Sequence, residues 1–183
     1  MNAGTLKMTG LAGLVWGVLT ILLIIVGIVF AVSAVRSGAA GTPATTAAGT
    51  GIIVQIVGVL ASLALCWMLF NLSQVYGGGM GAMACYAAIV LVLIKLVLDF
   101  ILVSGTLSLI LIVLQGIAII FVGAFGIMGK RLSSGAFKAF CVLMIITGAS
   151  LALIVTAVVY PFLALATGIV AFVAFNGASK QAA

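Results

Sequence analysis

Two side chains in this sequence have chemistry suited to moving or holding a proton or an ion, at a spacing that lets them meet. Lys95 and Asp99, the one acid in the chain, sit inside the apolar stretch Ala87-Ala-Ile-Val-Leu-Val-Leu-Ile-Lys-Leu-Val-Leu-Asp-Phe-Ile-Leu-Val103. Four residues apart, they share a helix face one turn from each other and neutralise one another. A lone charge in the middle of a bilayer costs at least about 2.5–3.5 kcal/mol, so the pair is expected to point into a helix bundle or toward a partner. A turn around Gly105 would set Gln115 of the following helix level with Lys95, and its amide can donate to Asp99 while accepting from Lys95. Lys95, Asp99 and Gln115 are therefore expected to form a polar cluster at mid-depth.

The helices that must carry this cluster follow from composition. Of the 183 residues, 67% are hydrophobic and 4% charged, with seven Lys/Arg, one Asp/Glu and no His. Soluble domains carry about 25% charged residues, so a water-soluble globule is excluded. The expectation is an all-α, polytopic transmembrane bundle, a single membrane domain over residues 1–183 in contact with the lipid bilayer. Its spans are read at 11–35, 51–76, 83–103, 106–129, 140–159 and 161–177. The first run is about 25 residues long, a membrane span and not the 7–15-residue core of a signal peptide. The stretch from Arg36 to Thr50 reads as a small, flexible linker, and Gly77–Gly81 as a glycine turn. Ser104-Gly105-Thr106 divides the long run before Met128, and Tyr160-Pro161 divides the last one, because Pro suits the first turn of a new helix. Six spans are favoured, with five as the alternative.

Topology markers support six. With the N-terminus in the cytoplasm, Lys7, Lys130, Arg131, Lys138 and Lys180 fall inside and Arg36 alone falls outside, with both termini cytoplasmic. Five spans would move Lys180 to the other side. Tyr76 and Tyr86 then lie near the inner face and Tyr160 near the outer.

Close helix packing is expected where small residues recur. Gly58, Ser62 and Cys66 stand at i, i+4, i+8 on one face. Gly13 with Gly17, Gly123 with Gly126 and Gly129, and Ala164 with Gly168 offer similar seams, since association in lipid depends on close van der Waals contact.

The same inventory excludes several functions. Haem ligation by His and metal catalysis lack ligands, so no cofactor or metal is expected. Gly77–Gly81 lacks the Lys-Ser/Thr of a phosphate-binding loop. The cations do not cluster on a water-facing surface, which argues against nucleic acid. Cys66, Cys85 and Cys141 fall singly and read as apolar-embedded thiols, with acylation of Cys85 or Cys141 the alternative. Three two-helix hairpins are arguable as repeats but do not align.

The reading is a non-enzymatic integral membrane protein, a structural or accessory subunit packing on other membrane proteins or on copies of itself. One alternative is a small ion- or proton-conducting channel or transporter using Lys95 and Asp99. Binding of a lipid or quinone headgroup is another, and a membrane-shaping or viral envelope protein a further one. With one carboxylate and no His, no second group stands ready to pass a proton onward, which favours a pair that holds over a pair that conducts.

Overall fold

The structure is a computed structural model, and it describes residues 3–38, 44–101, 105–129, 134–153 and 159–181. Six helices run in order: α1 Ala3–Gly38, α2 Ala44–Tyr76, α3 Gly79–Ile101, α4 Gly105–Met128, α5 Gly135–Ala152 and α6 Tyr160–Gln181. All six are long and apolar enough to cross a membrane, which makes this a multi-pass integral membrane protein.

Local signals explain the helix ends. Gly77, Gly78 and Gly79 all adopt positive φ, at 62°, 98° and 76°, a conformation that side chains with a Cβ resist. They let α2 reverse into α3 within three residues. Ser134 caps α5, its hydroxyl accepting from the Phe137 N–H at 3.3 Å. Pro161 occupies the second position of α6, where its missing N–H leaves no bond unmade.

Several boundaries differ from the sequence-based expectation. The expected linker 36–50 is largely helical, since α1 continues to Gly38 and α2 starts at Ala44. Small, uncharged Ala and Thr offer nothing to stop a helix already nucleated by a long apolar span. At 36 and 33 residues, α1 and α2 reach about 54 and 50 Å, well beyond a hydrocarbon core about 30 Å thick. α3 begins four residues before the expected start, at Gly79, and α5 stops at Ala152. α6 runs on to Gln181, which makes the last span 22 residues and not a fragment. The expected basic loop residues Lys130 and Arg131, and Ser104 of the expected turn, lie outside the described residues.

Each helix packs chiefly on its neighbours in the chain, and α6 returns to pack on α1, so the six helices close into a ring. The start of α1, the glycine turn, the end of α4, the start of α5 and the end of α6 occupy one end, here called the terminal end. The ends of α1, α3 and α5 and the starts of α2, α4 and α6 occupy the other, the distal end.

Two seams of the ring are backbone on backbone. Between α1 and α6, a methyl group on Gly168 would overlap the Gly13 carbonyl, and one on Gly17 would lie 2.9 Å from the Ala164 oxygen. Between α4 and α5, methyl groups on Gly116 and Gly148 would each come within 2.6 Å of the other's carbonyl oxygen, and one on Gly123 would lie 2.6 Å from that of Cys141. Gly126 fits equally tightly against Cys141 and Tyr76. Thr147 and Thr167 hydrogen-bond across α5 and α6 at 2.9 Å.

The apolar core is concentrated in the terminal half. Leu6, Leu65, Met68, Leu69, Leu72, Cys85, Ile119, Val122, Phe140, Cys141, Met144 and Phe175 form one buried cluster. Phe137 and Phe140 meet the Phe175 ring edge-on at centroid distances of 5.8 and 5.3 Å, a favoured aromatic arrangement. The Tyr76 hydroxyl donates to the Val122 carbonyl at 2.9 Å, tying the end of α2 to α4. Toward the distal end this filling gives way to open space.

Substitutions separate seam glycines from lipid-facing ones. Gly168→Ala is expected to cost about 1–3 kcal/mol through overpacking against the Gly13 carbonyl. Gly27→Ala, with nothing within 4 Å, is expected to be neutral or to stabilise by up to about 1 kcal/mol. Thermal unfolding of the purified variants in mild detergent reads both, and equal effects at the two positions would contradict the assigned seam.

Candidate functional site

The open space is a cavity of about 340 Å³ between α1, α2, α3, α4 and the first residue of α6. Trp16, Thr20 and Leu23 enter from α1, Gly58, Ser62 and Leu65 from α2, Val92, Lys95 and Asp99 from α3, Gln115 from α4 and Tyr160 from α6. It forms a cup in the distal half of the ring, floored by the core below it.

Local structure sets the wall. Along α2, Gly58 and Ser62 stand one turn apart, as their spacing requires. A methyl group on Gly58 would meet only the Leu23 Cδ1 at 3.9 Å, so this glycine leaves room in the cup and does not mediate a close helix approach. The Ser62 hydroxyl donates to the Gly58 carbonyl at 2.9 Å, and that of Thr20 to the Trp16 carbonyl at 2.8 Å. Both satisfy their donors within their own helices, leaving acceptor lone pairs free. Trp16, 2% exposed, and Tyr160 bring α1 and α6 together at the wall of the cup.

On α3, Lys95 donates to the Asp99 Oδ2 at 2.5 Å, and the Ser108 hydroxyl of α4 donates to Oδ1 at 3.3 Å. The ion pair lies in the distal part of the bundle, with Asp99 two residues from the end of α3 at Ile101. Within α3, which starts at Gly79 and has its midpoint near residue 90, both residues fall in the distal half. The side chains are 26% and 44% exposed, so the pair sits on the rim where a long Lys side chain reaches polar surroundings at modest cost.

Gln115 shares the cup with Lys95 and Asp99 but bonds to neither. It is 8% exposed, and its amide forms no hydrogen bond with any other described residue. The residue itself is part of the cup's wall. The oxygen that completes Asp99 comes from Ser108. The hairpin count that sets Gln115 opposite Lys95 sets Leu111 opposite Asp99, so Ser108, three residues nearer the turn, carried no such signal in the sequence.

The other predicted residues are dispersed. Cys66 is half-buried against the core, while Cys85 and Cys141 are both 0% exposed. The latter two thiols face Tyr76 and the terminal core, where an acyl chain has no access. Gly123, Ala164 and Gly168 lie in the two backbone seams. Lys7, Lys138 and Lys180 are exposed at the terminal end, far from the cup. Among the described residues no three His, Cys, Asp or Glu side chains group as a metal site would need. Chemically, the cup offers a charge-compensated ion pair, two amides, Gln55 and Gln115, that bond to no other described residue, hydroxyl acceptors and two large aromatic rings. No family model, curated protein or solved structure matches this chain.

The ion pair predicts non-additive stability. Lys95→Met or Asp99→Leu alone leaves one charge without its partner, whereas the double variant removes both. Each single variant is expected to unfold at lower temperature than the double variant, and Ser108→Ala to cost about 0.5–1.5 kcal/mol. Additive losses in a double-mutant cycle would show that the two charges do not depend on each other.

Proposed function

We propose that this is a non-enzymatic membrane protein that holds a small molecule in the cup at the distal end of its helix ring. The observation that carries this reading is the cavity itself, in which Lys95, Asp99, Thr20, Gln55, Ser62 and Gln115 share the wall with Trp16, Tyr160 and aliphatic side chains. Small-molecule sites are typically concave, mostly apolar and about 300–1,000 Å³, with a few placed polar groups. This one falls at the small end of that range.

The rival readings receive less support from the geometry. An accessory subunit was expected because small-residue faces outnumber polar ones. Those of α1, α4, α5 and α6 are spent on seams within the chain and are not open to a partner. A channel needs a polar path through the terminal half, which Leu65, Met68, Leu72, Phe140, Met144 and Phe175 fill. A carrier would have to part backbone seams that are the tightest contacts in the molecule. Catalysis would have to start from Asp99, which is already ion-paired and hydrogen-bonded.

Orientation follows from the cations. Lys7, Lys138 and Lys180, together with the connection bearing Lys130 and Arg131, mark the terminal end as cytoplasmic by the positive-inside rule. The cup then lies in the half of the bundle nearer the opposite face of the membrane.

Native mass spectrometry of the full chain, released from mild detergent, tests this function. A retained small molecule is expected in the wild-type protein and is lost when Ser62→Leu fills the cup. In liposomes, proton and ion flux is expected at the level of protein-free vesicles. Flux that disappears on Asp99→Asn would replace the binding reading with transport.

A further inference from the structure

The charge arrangement of the cup restricts what it can hold, an inference that rests on the binding function proposed above. Lys95 and Asp99 are the only charged side chains among the described residues of its wall, and they are bonded to each other. The site is therefore neutral before anything enters. An anion could be neutralised only by Lys95, and would leave Asp99 with no cation. A cation would claim Asp99 and strand Lys95. In either case one charge of the rim pair is left without its partner, and the entering ion loses hydration without net compensation.

The group left over is neutral. Gln115 is more than nine-tenths buried, has no hydrogen-bonding partner among the described residues, and lines the cup, whereas the second amide on the wall, Gln55, is exposed. A primary amide offers two donors and an acceptor in one plane. Its best complement is a group presenting a donor and an acceptor side by side, such as a carboxamide or a hydroxyl beside an ester. Ser62 and Thr20 have already given their protons to backbone carbonyls, so they add acceptors for a donor on the same ligand. Leu23, Val54, Val59, Leu65, Val92 and Leu96 supply an apolar wall for a short hydrocarbon body.

We infer that the cup binds an uncharged amphiphile whose head carries both a hydrogen-bond donor and an acceptor, held by the Gln115 amide. The shared chemistry fits a free small amide and the neutral headgroup of a monoacylglycerol.

Trp16 provides the readout, because it lines the cup and the chain's other tryptophan, Trp67, is 40% exposed on the outer surface. In the full-length Trp67→Phe protein in mild detergent, Trp16 fluorescence is titrated with three heavy-atom quenchers of equal chain length. These are ω-bromohexanamide, ω-bromohexanoate and ω-bromohexylammonium. Saturable quenching by the amide is expected at a concentration about tenfold below that of either ion, as the loss of a buried amide's partner implies. Gln115→Leu is expected to abolish the saturable component, and Ser62→Leu, which blocks the cup from another helix, to do the same. A chain-brominated monoacylglycerol distinguishes the sources: quenching by it assigns a lipid headgroup, and quenching by the hexanamide alone assigns a free solute. Tighter quenching by either ion would overturn the neutral-ligand inference while leaving a binding cup in place. Saturable quenching by none of the four probes would overturn the cup reading as well.

Discussion

Helices in a bilayer gain little by hiding apolar surface from one another, because lipid tails are as apolar as leucine side chains. Close packing must do the work instead. Here that requirement is met most stringently where α1 meets α6, with Gly13 and Gly17 seated against Gly168 and Ala164. This contact joins the first span to the last and turns a chain of antiparallel hairpins into a ring. Without it α1 and α6 would be edges, and the cup would have a missing side. The Gly116–Gly148 and Gly123–Cys141 approaches do the same for α4 and α5.

Within the closed ring, side-chain size divides the interior. Leu72, Phe140, Met144 and Phe175 fill the terminal half, where three phenylalanine rings contact one another. In the distal half the wall facing α1 is built from Gly58, Ser62 and valines, which are too small to meet across the lumen. The cavity is thus a product of residue volume as much as of helix path. Its polar groups cost the fold little: the hydroxyls bond to their own helices, and the ion pair lies near the end of α3 and is completed by Ser108. Gln115 is the exception, a buried amide with no described partner, and for that reason it is the most informative residue in the cup.

Some of this arrangement was legible without coordinates. The six runs and the reversal at Gly77–Gly79 follow from hydropathy and from the freedom of glycine at positive φ. The break at Tyr160-Pro161 follows from the geometry of Pro, and the Lys95–Asp99 contact is intrahelical, so a spacing of four suffices to specify it. Where the reading went astray, the controlling contact was between helices. Gly58 and Ser62 have the same spacing as a packing face, yet they border empty space, because nothing in a periodicity says whether a facing helix comes close. Gly116 and Gly148 did not stand out from the chain's other glycines, although they form one of its closest approaches. Ser108, and not Gln115, reaches Asp99 because a hairpin count fixes level to within a turn but not the rotation of each helix about its axis.

The amino-acid sequence by itself determined that the chain lives in a membrane, where it turns, and that its single acid is paired. All of these are set by composition or by neighbours within four residues. Only the tertiary structure decided which small residues become seams, that α6 closes on α1, and that the polar residues of four helices and Tyr160 of a fifth border one cup. Those outcomes depend on helix rotation and on the volumes of side chains distant in sequence. In an apolar chain whose helices are greasy on every side, no amphipathic stripe announces either one.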